Sequence, residues 1–448
     1  MLTYNLSESN KYYALYRAIR GDILSGNIKS DEKLPSKRSL AEHLGVSVIT
    51  VQTAYEQLLA EGYIQSEQRR GYYVSEVGGQ VSVPPSPPQQ EETPKERYNL
   101  DLCSGRAPVK LFPFSVWAKL TRQTLSEEGE HLLERVPCDG DWALKQAVAA
   151  YLYRFRGFRV DPRYVVIGAG AEYLYGVVVQ LLGRDRPYAV ENPVYGRVPK
   201  TYELNGAKCV NVPVTKFGAD VESAENSGAC ALHISPSHQY PTGAVMPAAN
   251  RSRLIAWAEK TDAYIIEDDY DSEFRLFGKP LQTMAGLNGE RVIYLNTFSK
   301  TLAPSLRMGY MVLPPVLYAR YRSLYGDSAN VVPLFEQKTL AKMLDGGYFE
   351  RHVNRLRAYY RTVRAMLLEK LENLPVEKEI IETGGGLHLT VRLPSFASDD
   401  EIKAAAKAKG IKIKCVSDYL SAPADGYEKV AVINYSSVEA ATFTEVNL

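Results

Sequence analysis

Residues 291–310 read RVIYLNTFSKTLAPSLRMGY. The run RVIYL is short, apolar and rich in branched side chains, so it predicts a buried strand. The segment NTFSKTL, Asn296–Leu302, then places Lys300 just past that strand among small hydroxyl residues. An amine in such a position can be desolvated enough to act as a nucleophile, and Schiff-base chemistry needs this. Thr297 and Ser299 offer hydrogen bonds to a phosphate, and Arg307 offers bidentate pairing. Taken alone, the stretch would equally suit a surface lysine after a buried strand. The segments upstream decide between these readings.

IIEDDYD, residues 265–271, is a second strand pattern, ending in acids. A pyridine cofactor needs a carboxylate at its ring nitrogen to keep the ring protonated. Asp268 fits that role, and Tyr270 could reach the cofactor's phenolic oxygen. A run of acids also suits a metal site, but no histidine lies nearby in the sequence, so no metal is expected. VIGAGAEY, residues 166–173, reads as strand, glycine turn and helix start. The backbone N–H groups of Ala171 and Glu172 would then face a phosphate. The spacing does not fit the dinucleotide fingerprint. ENPVYGR, residues 191–197, places Tyr195 after another strand. It could stack on a cofactor ring or simply pack. Strands alternating with helical stretches predict an α/β fold with a largely parallel sheet. LHLTVRLP followed by DDEIKAAAKAKGIKIK predicts a smaller α/β subdomain at the C-terminal end.

The other end of the chain follows different rules. Leu15, Ile19 and Ile23 mark one face of a helix, with Gly26 as its stop. Leu40, Ala41 and Leu44 follow Ser36 and end at Gly45. A third helix begins after Ser47, with Val51, Ala54, Tyr55, Leu58 and Leu59 inward and Gly62 closing it. YIQSEQRRGYYV then alternates about a turn near Arg69, Arg70 and Gly71, which predicts a hairpin. Two helices joined across Gly45-Val46-Ser47 form a helix-turn-helix pattern, with the hairpin as its wing. The third helix would offer Ser47, Val48, Thr50 and Gln52 to base edges. Gln52 suits an adenine, and Val48 suits a thymine methyl. Lys37, Arg38, Arg69 and Arg70 would contact phosphates. Residues 1–78 hold nine basic and nine acidic side chains, so any attraction to DNA must come from clustering and not from net charge.

Between the two lies GGQVSVPPSPPQQEETPKER, residues 78–97. It has five prolines and almost no large apolar side chain, so it cannot bury enough surface to fold. An extended proline-rich segment of this length reaches on the order of 60 Å. The expected organisation is therefore a small module at 1–78, a linker at 79–97 and a large module at 98–448.

Composition narrows the class. The chain has 448 residues, with 53 basic and 52 acidic side chains, giving a net charge of +1. A globally basic nucleic-acid coat is excluded, though a local basic patch is not. No run approaches the length of a membrane span, and the start lacks the apolar core of a signal peptide. The five cysteines form no CxxC pair, so a cytoplasmic protein with reduced thiols is expected.

Read in order, LPSKRSLA, LGVSVITV, AYEQL, EGYI and RGYYV resemble the winged helix-turn-helix of GntR-type bacterial regulators. Val48 stands where that family often has a basic residue. The ordered set of Gly-turn, ENPVY, SPSHQYPTG, EDDYDSEF and TFSKTLAPSLRMGY resembles the fold-type I aminotransferases. It most resembles the aminotransferase-like domain of the MocR subgroup of GntR regulators. The resemblance implies pyridoxal 5'-phosphate bound as an internal aldimine on Lys300. It also implies Asp268 at the ring nitrogen, Tyr270 at the phenolic oxygen and Tyr195 stacked on the ring. Thr297, Ser299, Arg307 and the Ala171 and Glu172 amides would hold the phosphate. It further implies a homodimer, with exchanged or tethered DNA-binding domains, on double-stranded operator DNA.

Two departures bear on activity. Tyr240 replaces the Asn of the aminotransferase Asn-Pro-Thr-Gly segment, and no Arg follows Arg392 to grip a substrate carboxylate. Both count against efficient transamination. The expected function is a regulator that senses the cofactor, alone or with an amino compound, with Arg197 and Arg392 as candidates for an anionic effector. The alternatives are a working aminotransferase and a domain kept only for dimerisation. His238 could be a ligand, a ring partner or structural, and the expectation is that it is structural or supports the residues that touch the cofactor.

Overall fold

The computed structural model describes residues 2–4, 6, 10–76, 98–103, 105, 107–277, 281–381 and 386–439, so the linker expected at 79–97 lies outside the described residues. The chain divides into two compact units, residues 1–95 and 96–448.

In the first unit, α1 (Lys11–Leu24) buries Leu15, Tyr16, Ile19 and Ile23, the face that their spacing marks. α2 (Lys37–Leu44) starts where the Ser36 hydroxyl accepts the Ser39 N–H. It stops at Gly45, whose φ of 62° is left-handed. Glycine takes that conformation without the strain a Cβ brings. α3 (Val48–Ala60) is capped in turn by the Ser47 hydroxyl, which accepts the Thr50 N–H. β1 (Ile64–Glu67) and β2 (Gly71–Val74) pair antiparallel, with Ile64 opposite Val74. Their turn passes through Arg69 at φ 63°. Leu15, Ile19, Leu40, Val51, Tyr55, Leu58 and Val74 close one core beneath the three helices and the wing. Burying each aliphatic side chain among them contributes about 1.5–3 kcal/mol.

The second unit is built on an eight-stranded sheet. Its strands are β4 (Val165–Gly168), β5 (Tyr188–Asn192), β6 (Cys209–Thr215), β7 (Gly218–Ala219), β8 (Ala231–Ile234), β9 (Tyr264–Asp268), β10 (Val292–Thr297) and β11 (Gly309–Val312). The order is β4-β11-β10-β9-β8-β5-β6-β7. β10, β9, β8, β5 and β6 are successively parallel. β11 and β7 run against their neighbours. One apolar core includes Leu144, Val148, Val165, Leu232, Ile265 and Tyr294. A second includes Val166, Leu174, Val178, Val190, Ile266 and Ile293. Neighbouring residues of one strand fall in different cores, as strand alternation requires when both faces of a sheet are covered.

The C-terminal part forms a smaller sheet. β12 (Glu379–Ile381), β13 (His388–Arg392), β15 (Lys414–Cys415) and β16 (Val430–Asn434) pair antiparallel in the order β12-β13-β16-β15. Between them in sequence, β14 (Ile411–Lys412) pairs in parallel with β3 (Leu100–Asp101), the first strand of the second unit. Leu389 and Val391 pack with Leu356, Tyr360, Val363 and Leu367 of the long helix Tyr348–Glu372.

The abundance of tyrosine, 31 in all, has a structural basis here. Nine of the eleven largest fully buried side chains among the described residues are tyrosines. Several hydroxyls find partners, as Tyr55 does on the Pro35 carbonyl and Tyr321 on the Cys138 carbonyl. A buried tyrosine keeps its apolar area in the core at little cost when its hydroxyl is bonded.

Candidate functional site

The carboxyl ends of β4, β5, β8, β9 and β10 converge on a cavity of about 410 Å³. An open α/β sheet places ligands there because the loops leaving parallel strands diverge at that edge. Its lining includes Ala171, Glu172, Tyr195, Asp268, Tyr270, Thr297, Ser299, Lys300 and Arg307. All nine residues expected at a cofactor therefore face one space.

Identifiable contacts place several of them. Lys300 follows β10, and its Nζ donates to the Gly105 carbonyl at 2.7 Å. A Cβ on Gly105 would lie 2.1 Å from that nitrogen, so a larger residue there would displace the lysine amine. Burial holds the Lys300 amine below its ordinary range, against the opposing pull of Asp271 and Asp268. Asp268 ends β9. Its Oδ2 accepts the Tyr175 hydroxyl and lies 3.4 Å from His233 Nε2. His233 Nδ1 is in turn 2.7 Å from the Tyr202 hydroxyl.

The helix Ala171–Leu182 begins at Gly170, at φ 88° and with no side-chain cap, which leaves its first N–H groups open. An unpaired helix start of this kind attracts anions. Arg307 sits directly over Gly170: a Cβ there would meet its Nη2 at 3.2 Å. Arg307 also donates to the Ala169 carbonyl. An open helix start, an overlying guanidinium and two nearby hydroxyl residues form a cradle suited to a phosphate ester. Lys300, Asp268 and Tyr270 beside it suit a pyridine aldehyde.

Other lining residues were not expected from the sequence. Tyr175 lies one turn beyond Ala171 on the same helix, and that spacing alone could have revealed it. Glu191, at the end of β5, has one oxygen near the Ser235 N–H, while its Oε1 is buried without a partner. Burial pushes its carboxyl up to about 8. His388 and Asn434 come from the C-terminal sheet, more than a hundred residues from Asp268. Burial and the neighbouring His238 hold His388 well below the ordinary range for histidine.

The expectation that no histidine stands near the acids after β9 is corrected by the fold. His238 Nδ1 lies 2.9 Å from Asp271 Oδ2. The His388 ring is 4.6 Å from the His238 ring, and the three residues bring ligand-type atoms within 4.8 Å of one another. His238 Nδ1 also lies 3.3 Å from the Tyr270 hydroxyl, so this pair backs the tyrosine. Tyr240 donates to the Tyr419 hydroxyl at 2.8 Å and meets Tyr195 edge-on. Arg197 and Arg392 are not brought together. Arg197 pairs at 3.5 Å with Glu172. Arg392 pairs with Glu379 at 3.6 Å and donates to the Gly426 carbonyl, and neither arginine lines the cavity.

In the first unit, Val48 and Ile49 stand exposed at the start of α3, Ile49 by 75%. Ser47, Thr50 and Gln52 are engaged locally. Ser47 caps Thr50, and Gln52 donates to Glu56 at 2.8 Å. Lys37 lies over the Tyr72 ring, and Arg38 is exposed at the start of α2. On the wing, Arg69 is exposed at the turn, and Arg70 pairs with Glu67.

Comparison with known proteins adds to this geometry. Residues 99–417 match the family model of aminotransferase class I and II. Residues 11–74 match that of bacterial regulatory proteins, gntR family. The chain is 35% identical over 411 residues to the uncharacterized HTH-type transcriptional regulator YdeL of Bacillus subtilis, covering 91% of this chain and 89% of that one. It is 32% identical over 452 residues to the probable rhizopine catabolism regulatory protein MocR of Rhizobium meliloti, covering 96% and 91%. Among solved structures it resembles LysN, the alpha-aminoadipate aminotransferase of Thermus thermophilus complexed with N-(5'-phosphopyridoxyl)-L-leucine. That match has a TM-score of 0.67 at 25% identity, over 79% of this chain and 90% of that one.

Proposed function

The chain belongs to the MocR-type regulators, which join a GntR helix-turn-helix to an aminotransferase class I and II domain, and from that premise we propose that it binds operator DNA through residues 1–78 and senses pyridoxal 5'-phosphate, alone or with an amino compound, through Lys300. The observation that carries the reading is the convergence of Lys300, Asp268, Tyr270 and Arg307 on one cavity in a chain that also presents a recognition helix.

Pyridoxal phosphate, when bound, supplies an aldehyde that amines can capture and a ring that withdraws electrons. The protein's own groups provide the rest. Arg307, Thr297, Ser299 and the Ala171 and Glu172 amides would hold the phosphate. Asp268, fixed by Tyr175 and His233, would keep a proton at the ring nitrogen. Tyr270 would donate to the phenolic oxygen, and Tyr195 would stack on the ring. Lys300 offers an amine whose burial favours the neutral, nucleophilic form.

Regulation requires that the ligand favour one conformation over another, since equal affinity for both shifts nothing. The protein works as a homodimer, each DNA module tethered by its linker to the larger unit, on a pair of half-sites. The second reading, a working aminotransferase, is favoured by the full set of cofactor groups. It is opposed by Tyr240, held by Tyr419, and by the placement of Arg392 against Glu379.

A visible absorbance titration with pyridoxal phosphate, followed by a panel of amines, tests the proposal. A new band near that of protein-bound cofactor is expected, with no keto product after amine addition. Keto product released over many turnovers would establish the enzyme instead. The absence of any band would remove cofactor sensing.

A further inference from the structure

The recognition helix contains no Lys, Arg or His anywhere from Val48 to Ala60. Its exposed side chains near the start are Val48, at 42%, and Ile49, at 75%. The residues one turn on are Gln52 and Thr53, and Glu56 follows a turn later on the same side. The opposite face, Val51, Ala54, Tyr55 and Leu58, is buried in the core of the unit, so rotating the helix cannot bring other groups outward.

Each base pair in the major groove presents its own set of groups. Guanine is most often read by Arg or Lys, bidentate to O6 and N7. Adenine is read by Gln or Asn, and the thymine methyl by apolar contact. No side chain on α3 can make that bidentate Arg or Lys contact to guanine. Two branched aliphatic side chains stand at the helix start, where base edges are met. Left in water, they are exposed apolar surface. Thr53 keeps its hydroxyl on the Ile49 carbonyl and so does not offer it to a base. Glu56 accepts from Gln52, which leaves the Gln52 amide tied to the helix until an adenine competes for it.

We infer that α3 reads an A·T-rich half-site through the C5-methyl groups of thymines, with Val48 and Ile49 as the reading side chains, and that no guanine is specified at the positions this helix covers. The positive charge that holds the duplex lies elsewhere, at Arg38 on α2 and Arg69 on the wing, which suits phosphates more than bases. The inference rests on the DNA-binding reading above and states the sequence class that reading leaves open.

The test uses the full-length protein. Duplexes bound from a random pool are sequenced, and the recovered site is then remade with uracil in place of thymine, one position at a time. Removing a methyl buried against an aliphatic side chain corresponds to about 0.8 kcal/mol, or roughly a fourfold loss of affinity. That loss is expected at one or more thymines in each half-site and at none between the half-sites. In Ile49→Ala or Val48→Ala, the uracil penalty should shrink towards one, because the partner of the methyl is gone. Both positions are exposed, so the variants fold. The inference is overturned if no uracil substitution weakens binding, if the penalty is unchanged in both variants, or if the recovered half-site carries an invariant guanine that survives Lys37→Ala, Arg38→Ala, Arg69→Ala and Arg70→Ala. Failure to recover any preferred sequence would instead overturn the operator-binding reading, and this inference with it.

Discussion

At the scale of single residues, Lys300 shows how much an environment adds to a side chain. Its sequence context marks a strand end with hydroxyl neighbours and no more. The fold adds a carbonyl from Gly105, two acids nearby and enough burial to lower the affinity of the amine for its proton. Changing Lys300→Ala should abolish the adduct that borohydride traps with pyridoxal phosphate, while leaving the phosphate cradle intact. Mass spectrometry of the reduced protein reads this directly, and a trapped adduct on the variant would assign the chemistry to another lysine. The nine residues expected at a cofactor could be picked out because each sits in a short segment with its own chemical signature, and they line one cavity. Tyr175, Glu191, His233, His388 and Asn434 were not expected. Each is an ordinary strand or helix residue until the chain folds and turns it toward the same cavity.

At the scale of elements, end signals proved the most legible feature. Ser36, Gly45 and Ser47 set the limits of α2 and α3 as their chemistry requires, since each satisfies backbone groups that the helix leaves unpaired. Ser36→Ala should cost about 1 kcal/mol in the stability of α2. Hydrogen exchange of the α2 amides should then speed up by roughly fivefold in the full chain, while the larger unit is unchanged. Equal exchange rates in the variant would mean that tertiary packing, and not the cap, holds this helix end. The pairing of β14 with β3 was less legible. Two strands of two residues, separated by about three hundred positions, carry no periodic pattern to read.

At the scale of the whole second unit, the buried acids set a pH dependence that no local pattern foretells. Glu267 and Glu273 are fully enclosed, and burial with the nearby Asp269 pushes each carboxyl up to about 7. Arg156 pairs with Asp269 at 3.2 Å and draws the other way. An acid whose folded pKa is raised binds more protons in the folded state. Its contribution to stability is therefore full below the ordinary carboxylate range, near 4.5, and is lost as pH rises through about 7. The urea midpoint should accordingly fall between pH 5 and pH 8. Glu273 makes the sharper case, because its Oε1 accepts from Tyr151 and Asn296 while Oε2 has no partner. Glu273→Gln keeps the accepting oxygen and removes the ionisable one. It should raise stability at pH 8 by on the order of 1–3 kcal/mol and flatten the slope. A variant whose midpoint follows the same pH curve as the parent would show that Glu273 does not titrate with folding.

The sequence by itself determined what depends on neighbours along the chain. The three helices and wing of the first unit follow from periodicity and caps, and the strand alternation of the second unit from its short apolar runs. The motifs that line the cavity lie where strands end, because chemistry at a strand end needs only a few adjacent residues. The tertiary structure alone decided what depends on distant segments meeting. It set Asp271 beside His238 and His388, against the expectation from sequence proximity, and it put Arg392 on Glu379 and out of the cavity. It also enclosed Glu267 and Glu273 with Arg156. Burial and long-range electrostatics arise only once the sheet has brought remote strands together, so no local reading of the chain contains them.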